Sequence, residues 1–582
     1  IMKSTRCILS IILGLLAGWL PLGAVTVLKN LQVEYQTNPL GIDVSQPRFN
    51  WQMESDRYGA CGQAYRLWVA DSPEQLAAGR YIYDSGKVGV VYQGKALQPS
   101  TRYYWKVSVW DESGTEITST EPAWFETGLL GSGWSGARWI GSSETQLSKY
   151  RSHYVIDYDV RVAEGNDKAA FVFGARDADN YVSAELDLNG SGDARFILRH
   201  TTDGKTTQDA SESLASIIPA SDKHKAHHIR LKVTTAQYAL KYFVDIEIDG
   251  KTLVNSSLTP EEKERKSRGD FWGGKEGAFT VYPYPDGELV YHCRLYAIGF
   301  LQPKGQTATF SNLRISADTW NTLLYNPAET YVEKGEGKLN VWYPGENVSA
   351  PMLRKTIKIE KPVKSARLYA TARGVYEFSV NGQKVGKDYL NPGWTDYRYR
   401  IMYNTYDITD LLRPGDNGIG AMLGAGWWSE HSGFLTGWQD QYGTRQSLLG
   451  KIVIEYADGT RETIVTNDSW KCYDRGPITF NGLQNGEEYD ARKEVNGWDA
   501  PGFDDSSWKP ATLFAAPPVN VEIQGYVGSP IQNNVTLTAQ SMVEPIPGVY
   551  VYDMGQNMVG VPRLTFKGKA GQEITIRFGE MN

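Results

Sequence analysis

The sequence predicts an all-β protein built as tandem antiparallel β-sandwiches, on three observations. Aromatic side chains are abundant, with 18 tryptophans, 35 tyrosines and 17 phenylalanines, and such residues suit half-buried pleated surfaces. The 59 glycines and 26 prolines punctuate the chain at turn spacing. Between them run short stretches that alternate apolar with polar residues, the period of a strand with one buried face.

At 582 residues the chain exceeds one core, and roughly 100–200 residues per domain predicts three to five domains. Hydrophobic residues are 41% and charged residues 22%, an ordinary globular balance that excludes wholesale disorder. The formal net charge of -7, with no basic block, argues against a nucleic-acid partner held through phosphates.

Residues 1–24 read as a secretory signal peptide. Lys3 and Arg6 precede an apolar run from Cys7 to Leu22, and Leu22-Gly23-Ala24 forms a small-residue cleavage site. An anchoring helix is the alternative, although the run is short for a bilayer. No later run is long enough to span a membrane, so the expectation is export to the periplasm or the extracellular space. Cys61, Cys293 and Cys472 are widely spaced, with no CxxC and no disulfide framework.

From 25 to 130, Tyr65-Arg66-Leu67-Trp68-Val69 and Tyr103 to Trp110 alternate in strand fashion, and the first sandwich is placed there. Residues 144–317 form a second all-β block, with Asp249-Gly250 as a hairpin signal. Its one helical stretch is the charged run Pro260–Arg268. A third sandwich covers 340–515, where Asn381-Gly382 marks a hairpin and Arg413-Pro414-Gly415 a turn. A fourth β-block starts near 520 and runs to 582. The chain stops after the alternating run Ile574, Ile576, Phe578; a domain rarely ends on an open edge, so the expectation is a truncated sequence.

Several stretches resemble known families. LQPSTRYYWKVSVWDESG resembles fibronectin type III domains, and the 144–317 block resembles concanavalin- or laminin-G-like jelly rolls. RLYATARGVYEFSVNGQKVGKDYLNPGWTDYRYR and NGEEYDARKEVNGWDAPGFDDSSWKPA resemble the N-terminal β-domain of bacterial α-L-rhamnosidases, and YVYDMGQNMVGVPRLTFKGKAGQEITIRFGE resembles the start of that family's next β-domain. The 144–317 block interrupts the order between ARWIG and APMLRKTI, where some members carry an inserted module that binds L-rhamnose through calcium; IGFLQ followed by TATFSNLRI is similar to the end of such modules. The resemblance implies a glycoside hydrolase that removes terminal α-L-rhamnosyl residues with inversion, using paired carboxylates in a helical barrel beyond Asn582. This chain is then its non-catalytic N-terminal portion, with a rhamnose-containing glycan as partner and no catalytic cofactor. The alternative is a non-enzymatic surface glycan-binding protein made of the same modules.

Asp179 and Asn180 lie in a polar turn before a strand. A carboxylate and an amide oxygen can both ligate Ca2+, and the resemblance places such a pair at this turn; both are also good turn residues. Trp272, Tyr282 and Tyr284 fall in FWGGKEGAFTVYPYPDG and are candidates for stacking on a sugar face, or for a loop packed on its own rings. His227 and His228 sit on a strand and point to opposite faces, so with His224 they read as a solvated strand start rather than a metal site. Glu487, Glu488, Asp490 and Asp440 are the tempting acid/base residues; with Arg492 they are read as structural, and no catalytic residue is assigned.

Overall fold

The computed structural model describes residues 26–78, 83–85, 90–131, 133–188, 192–235, 241–268, 277–282, 294–318, 322–345, 348–429 and 440–579. Contacts divide the chain into two units, one of residues 1–385 with 391–526 and a smaller one of 386–390 with 527–582.

In the larger unit, the first sandwich sets a three-stranded sheet (Thr26–Val33, Arg48–Ser55, Val90–Val91) against a sheet centred on Gly62–Ala70 and Arg102–Asp111. Alternation decides the faces: Tyr65, Leu67 and Val69 point inward from one strand, and Tyr103, Trp105 and Val107 from the other. Phe49 closes the core edge-on to Trp105 at 4.9 Å and to Phe125 at 5.7 Å.

The short strand Trp139–Gly141 joins strands that lie more than 300 residues downstream. Ile140 pairs with Leu448 on one side and Leu513 on the other. These belong to a seven-stranded sheet that also holds Val363–Arg373 and Arg400–Asp407. A six-stranded sheet centred on Val375–Val380, Gly415–Gly424 and Met352–Ile359 packs on it, and Leu353, Leu368, Phe378, Ile419, Ile452 and Trp470 fill the space between. The chain thus leaves this host sandwich after Gly141 and re-enters it at Met352.

The excursion is a jelly roll with a core of its own. A six-stranded sheet through Lys168–Asp177 and Asn180–Asp187 faces an eight-stranded sheet through His153–Val162, His227–Thr235 and Thr307–Ala317. Phe171, Phe173, Leu198, Leu231, Ile246, Phe300 and Phe310 are buried between them. These sheets extend past residue 317, through Leu323–Tyr325 and Tyr331–Lys334 to Asn340–Trp342. The charged helix Pro260–Arg268 forms as expected. Thr259 caps it reciprocally: its Oγ1 accepts from the Glu262 N–H at 3.2 Å, and its own N–H donates to the Glu262 carboxylate at 2.8 Å. Both predicted hairpin pairs adopt positive φ at each central residue, 50° and 75° at Asp249-Gly250 and 53° and 79° at Asn381-Gly382, as a type I′ turn requires.

Buried charge joins the three sandwiches. Arg367 of the host forks onto Glu126 of the first sandwich at 2.6 and 3.0 Å. Arg151, at the root of the jelly roll, forks onto Asp440 at 2.5 and 3.0 Å, with side chains only 4% and 3% exposed.

In the smaller unit, Asp388–Tyr389 pairs with Ile531–Gln532, and Ser541–Ile546 forms a hairpin with Val549–Asp553. The run Ile574, Ile576, Phe578, expected as a strand, carries no ladder. Alternation supplies an apolar face, whereas a strand also needs a hydrogen-bonded neighbour.

Candidate functional site

The Asp179–Asn180 turn links Lys168–Asp177 to Asn180–Asp187 at one end of the jelly roll. Asp177 organises it: its Oδ1 accepts the Asp179 N–H at 2.9 Å and the Asn180 side-chain amide at 2.8 Å. Burial opposes ionisation of Asp177, but those donors together with Arg176 outweigh it and hold the carboxyl below its ordinary value. Asn180 is buried, and its Oδ1 accepts the Asp203 N–H at 3.2 Å. The Asp179 carbonyl accepts the Gly204 N–H at 3.0 Å. Two adjacent hairpin turns are therefore stitched together through residues 179 and 180.

The two residues end up with different freedom. The Asp179 carboxylate is exposed and takes no hydrogen bond among the described residues. Asn180 has committed its amide N–H2 and one lone pair of its oxygen, which leaves one acceptor site. A hard cation could use these two oxygens. No cluster of three or more His, Cys, Asp or Glu at metal-binding spacing occurs among the described residues, so carbonyls, water or ligand hydroxyls would have to complete the shell.

Tyr282 follows the strand Phe279–Val281 and is 55% exposed, with the Lys241 ammonium 5.7 Å from its ring centroid. Val281 pairs with Tyr242, whose hydroxyl lies against Gly174 of Lys168–Asp177. That approach leaves no room for a side chain, since a Cβ on Gly174 would meet the Tyr242 Oη at 2.4 Å. The register therefore puts Tyr282 at the same end of the sandwich as Asp179. Trp272 and Tyr284 lie outside the described residues, as do Cys293 and the apolar leader.

The histidines serve the fold. His227 is buried, with Nδ1 on Asp249 at 2.8 Å and Nε2 on the Asp222 carbonyl at 3.0 Å. His228 faces the other way and meets Asp159 at 2.8 Å, while His224 contacts the Val162 carbonyl at 3.3 Å. Three of the four tempting carboxylates are occupied as well, whereas Glu487 has no ion pair among the described residues and burial raises its pKa. Glu488 pairs with Lys149. Asp490 caps the turn that follows it, and the Arg492 guanidinium and N–H draw its pKa down to about 2. Asp440 is locked to Arg151 beside a water-sized polar cavity lined by Gln146, Ser148, Gln446 and Asn481. The sequence carries no signal for that pairing, because Arg151 sits in no motif and Asp440 lies 289 positions away.

Comparison with known proteins gives a consistent pattern. Residues 28–131 match a family described as the Rha78A-like N-terminal immunoglobulin domain, 361–532 the α-L-rhamnosidase N-terminal domain, and 544–581 the bacterial α-L-rhamnosidase concanavalin-like domain. An α-L-rhamnosidase of Streptomyces avermitilis is 32% identical over 591 residues, which cover 94% of this chain and 50% of that protein. One from Alteromonas sp. (strain LOR) is 38% identical over 229 residues, 39% of this chain and 25% of its own length. The crystal structure of the Streptomyces avermitilis enzyme complexed with L-rhamnose superposes with a TM-score of 0.56 at 28% identity, over 92% of this chain and 49% of that one. The α-L-rhamnosidase from Dictyoglumus thermophilum shares the fold, with a TM-score of 0.52 at 24% identity over 91% of this chain and 39% of its own. The chain thus spans about half the length of the Streptomyces relative, and less of the others.

Proposed function

Since this chain is assembled from N-terminal domains of the bacterial α-L-rhamnosidase family, we propose that it serves an exported α-L-rhamnosidase as a glycan-binding, non-catalytic portion. Its partner is a rhamnose-containing glycan, and the hydrolytic step is not carried by these sandwiches. The observation that carries the binding reading is the exposed, unengaged carboxylate of Asp179, held at the end of the jelly roll beside the oxygen of Asn180. The non-catalytic reading is supported by the commitment of three of the four tempting carboxylates, Glu488, Asp490 and Asp440, to ion pairs, because a general acid needs a carboxyl free to exchange its proton; Glu487 is left to the test below.

In this reading Asp179 and Asn180 hold a calcium ion, and the ion supplies direct coordination for two adjacent sugar hydroxyls. Tyr282, with Trp272 and Tyr284, offers ring faces to the sugar's C–H surface. A single exposed monosaccharide makes few contacts, so the affinity expected is micromolar to millimolar, roughly -4 to -8 kcal/mol.

The test is titration calorimetry of the whole chain with L-rhamnose, with calcium and with chelator. Binding that needs calcium and is lost in Asp179→Ala supports the reading; binding indifferent to chelator rejects the calcium bridge. The same protein should not hydrolyse an aryl α-L-rhamnoside. Turnover that disappears in Glu487→Gln or Glu488→Gln would overturn the non-catalytic reading.

A further inference from the structure

A second surface, on the host sandwich, has the chemistry of a ligand site. The strand Val363–Arg373 ends with Arg373, whose guanidinium lies between two indoles, 4.5 Å from the Trp139 ring centroid and 5.4 Å from that of Trp428. Its Nε is buried with no hydrogen-bond partner, and no carboxylate pairs with it among the described residues. Burial alone draws its pKa down to about 10. Arg445 is also without an ion pair among the described residues and lies 6.0 Å from the Phe514 ring, two positions before Ser447, the register partner of Arg373. A half-buried cation without a counter-charge is costly to fold, and three fully buried arginines, Arg151, Arg367 and Arg354, each have an acid.

The aromatic group continues outward from Trp428. Trp428 packs on Tyr442 at 6.0 Å and on Tyr397 at 5.5 Å. Trp394 and Trp427 are stacked with planes 10° apart and centroids 6.4 Å apart, and Trp394 is 53% exposed. Trp394 also bonds to the Tyr442 hydroxyl through its side chain, so the rings form one connected cluster that reaches the surface at Trp394. Asp396, whose charge reaches Tyr442, is forked onto Arg398 at 2.6 and 2.8 Å.

We propose that this face is a second glycan site, selective for an acidic sugar: Arg373, with Arg445 beside it, takes the carboxylate of a hexuronate residue, and the Trp394–Trp427 stack supports the C–H face of the adjoining ring. The guanidinium fork matches a carboxylate bidentately, and a planar indole pair is the complementary surface for a pyranose. The proposal rests on the reading that the chain engages glycans, but it uses none of the residues assigned to rhamnose.

The test uses the whole chain and follows tryptophan fluorescence during titration with trigalacturonic acid, its uncharged methyl ester, and sodium acetate. The acid is titrated in the presence of chelator, so its binding does not draw on the calcium assigned to Asp179, and L-rhamnose titrated in parallel with calcium reports on that site. The acid should bind at least about tenfold more tightly than the ester, the worth of one charge-assisted bond pair. The advantage should shrink as salt is raised. Arg373→Gln should abolish it, while Trp394→Ala should weaken acid and ester alike. Should Arg373→Gln fail to fold, Arg373→Lys keeps the charge without the fork and should lose most of the advantage. Equal binding of acid and ester, no binding of either, competition by acetate at the same concentration, or unchanged selectivity in a folded Arg373→Gln would each overturn the proposal. If trigalacturonic acid fails while L-rhamnose still binds, only this site falls.

Discussion

Replacing Asp440 by asparagine should loosen the seam between the jelly roll and the host sandwich. Asp440 occupies the left-handed region at φ 53°, which asparagine also tolerates, so the change removes charge with little backbone strain. Arg151 would keep its guanidinium at 4% side-chain exposure, with only neutral neighbours such as Gln146 and Ser148 around the cavity. Removing one member of a buried pair costs about 3–5 kcal/mol, most of it the stranded charge. For a cooperative unit of 150–250 residues that is a fall of roughly 6–20 °C in the melting step that opens the seam. Differential scanning calorimetry of the whole chain measures it. The double variant Arg151→Met with Asp440→Asn strands no charge, so it should lose much less than the two single losses added together. A drop of under about 2 °C for Asp440→Asn, or strict additivity in the double variant, would refute the argument that this pair is desolvated and coupled.

Two further predictions concern the jelly roll. Burial, opposed by Asp318 and reinforced by Arg294, Arg151 and Lys232, lowers the pKa of His153 from 6.5 to about 4. Its contribution to stability is therefore full above pH 6.5 and is lost as pH falls through 4, up to roughly 3 kcal/mol; urea titrations across that window should show the loss, and His153→Gln should flatten it. Because the jelly-roll core is one contiguous cluster from Leu147 to Leu324, an excised fragment of residues 143–348 should unfold cooperatively by circular dichroism, and a broad, non-cooperative melt would show that the host sandwich completes that core.

Much of the architecture is legible residue by residue. Period-2 alternation around Trp105 and the Asn-Gly and Asp-Gly pairs specify strands and turns, because a pleat exposes one face per parity and those turns need positive φ. The same local logic separated His227 from His228. It could not place Trp139–Gly141, a three-residue strand whose partners are Leu448 and Leu513; there the resemblance to a known domain order, and not the local pattern, marked the block that follows as an insertion. Local alternation also overstated Ile574–Phe578, where the face exists and the ladder does not.

The candidate sites divide along the same line. Asp179 and Asn180 were readable because a metal-type donor pair in a turn is adjacent in sequence, and the fold then distinguished the exposed carboxylate from the stitched amide. Arg373, Trp139, Trp428 and Trp394 carry no spacing signal, since the Arg373 environment is put together from three separate strands and loops. Strand parity, turns and fold class were set by the sequence alone, because they depend on neighbours within a few residues. Which acid neutralises which buried arginine, and which arginine has none among the described residues, was decided only by tertiary structure, because desolvation and pairing depend on groups hundreds of residues apart.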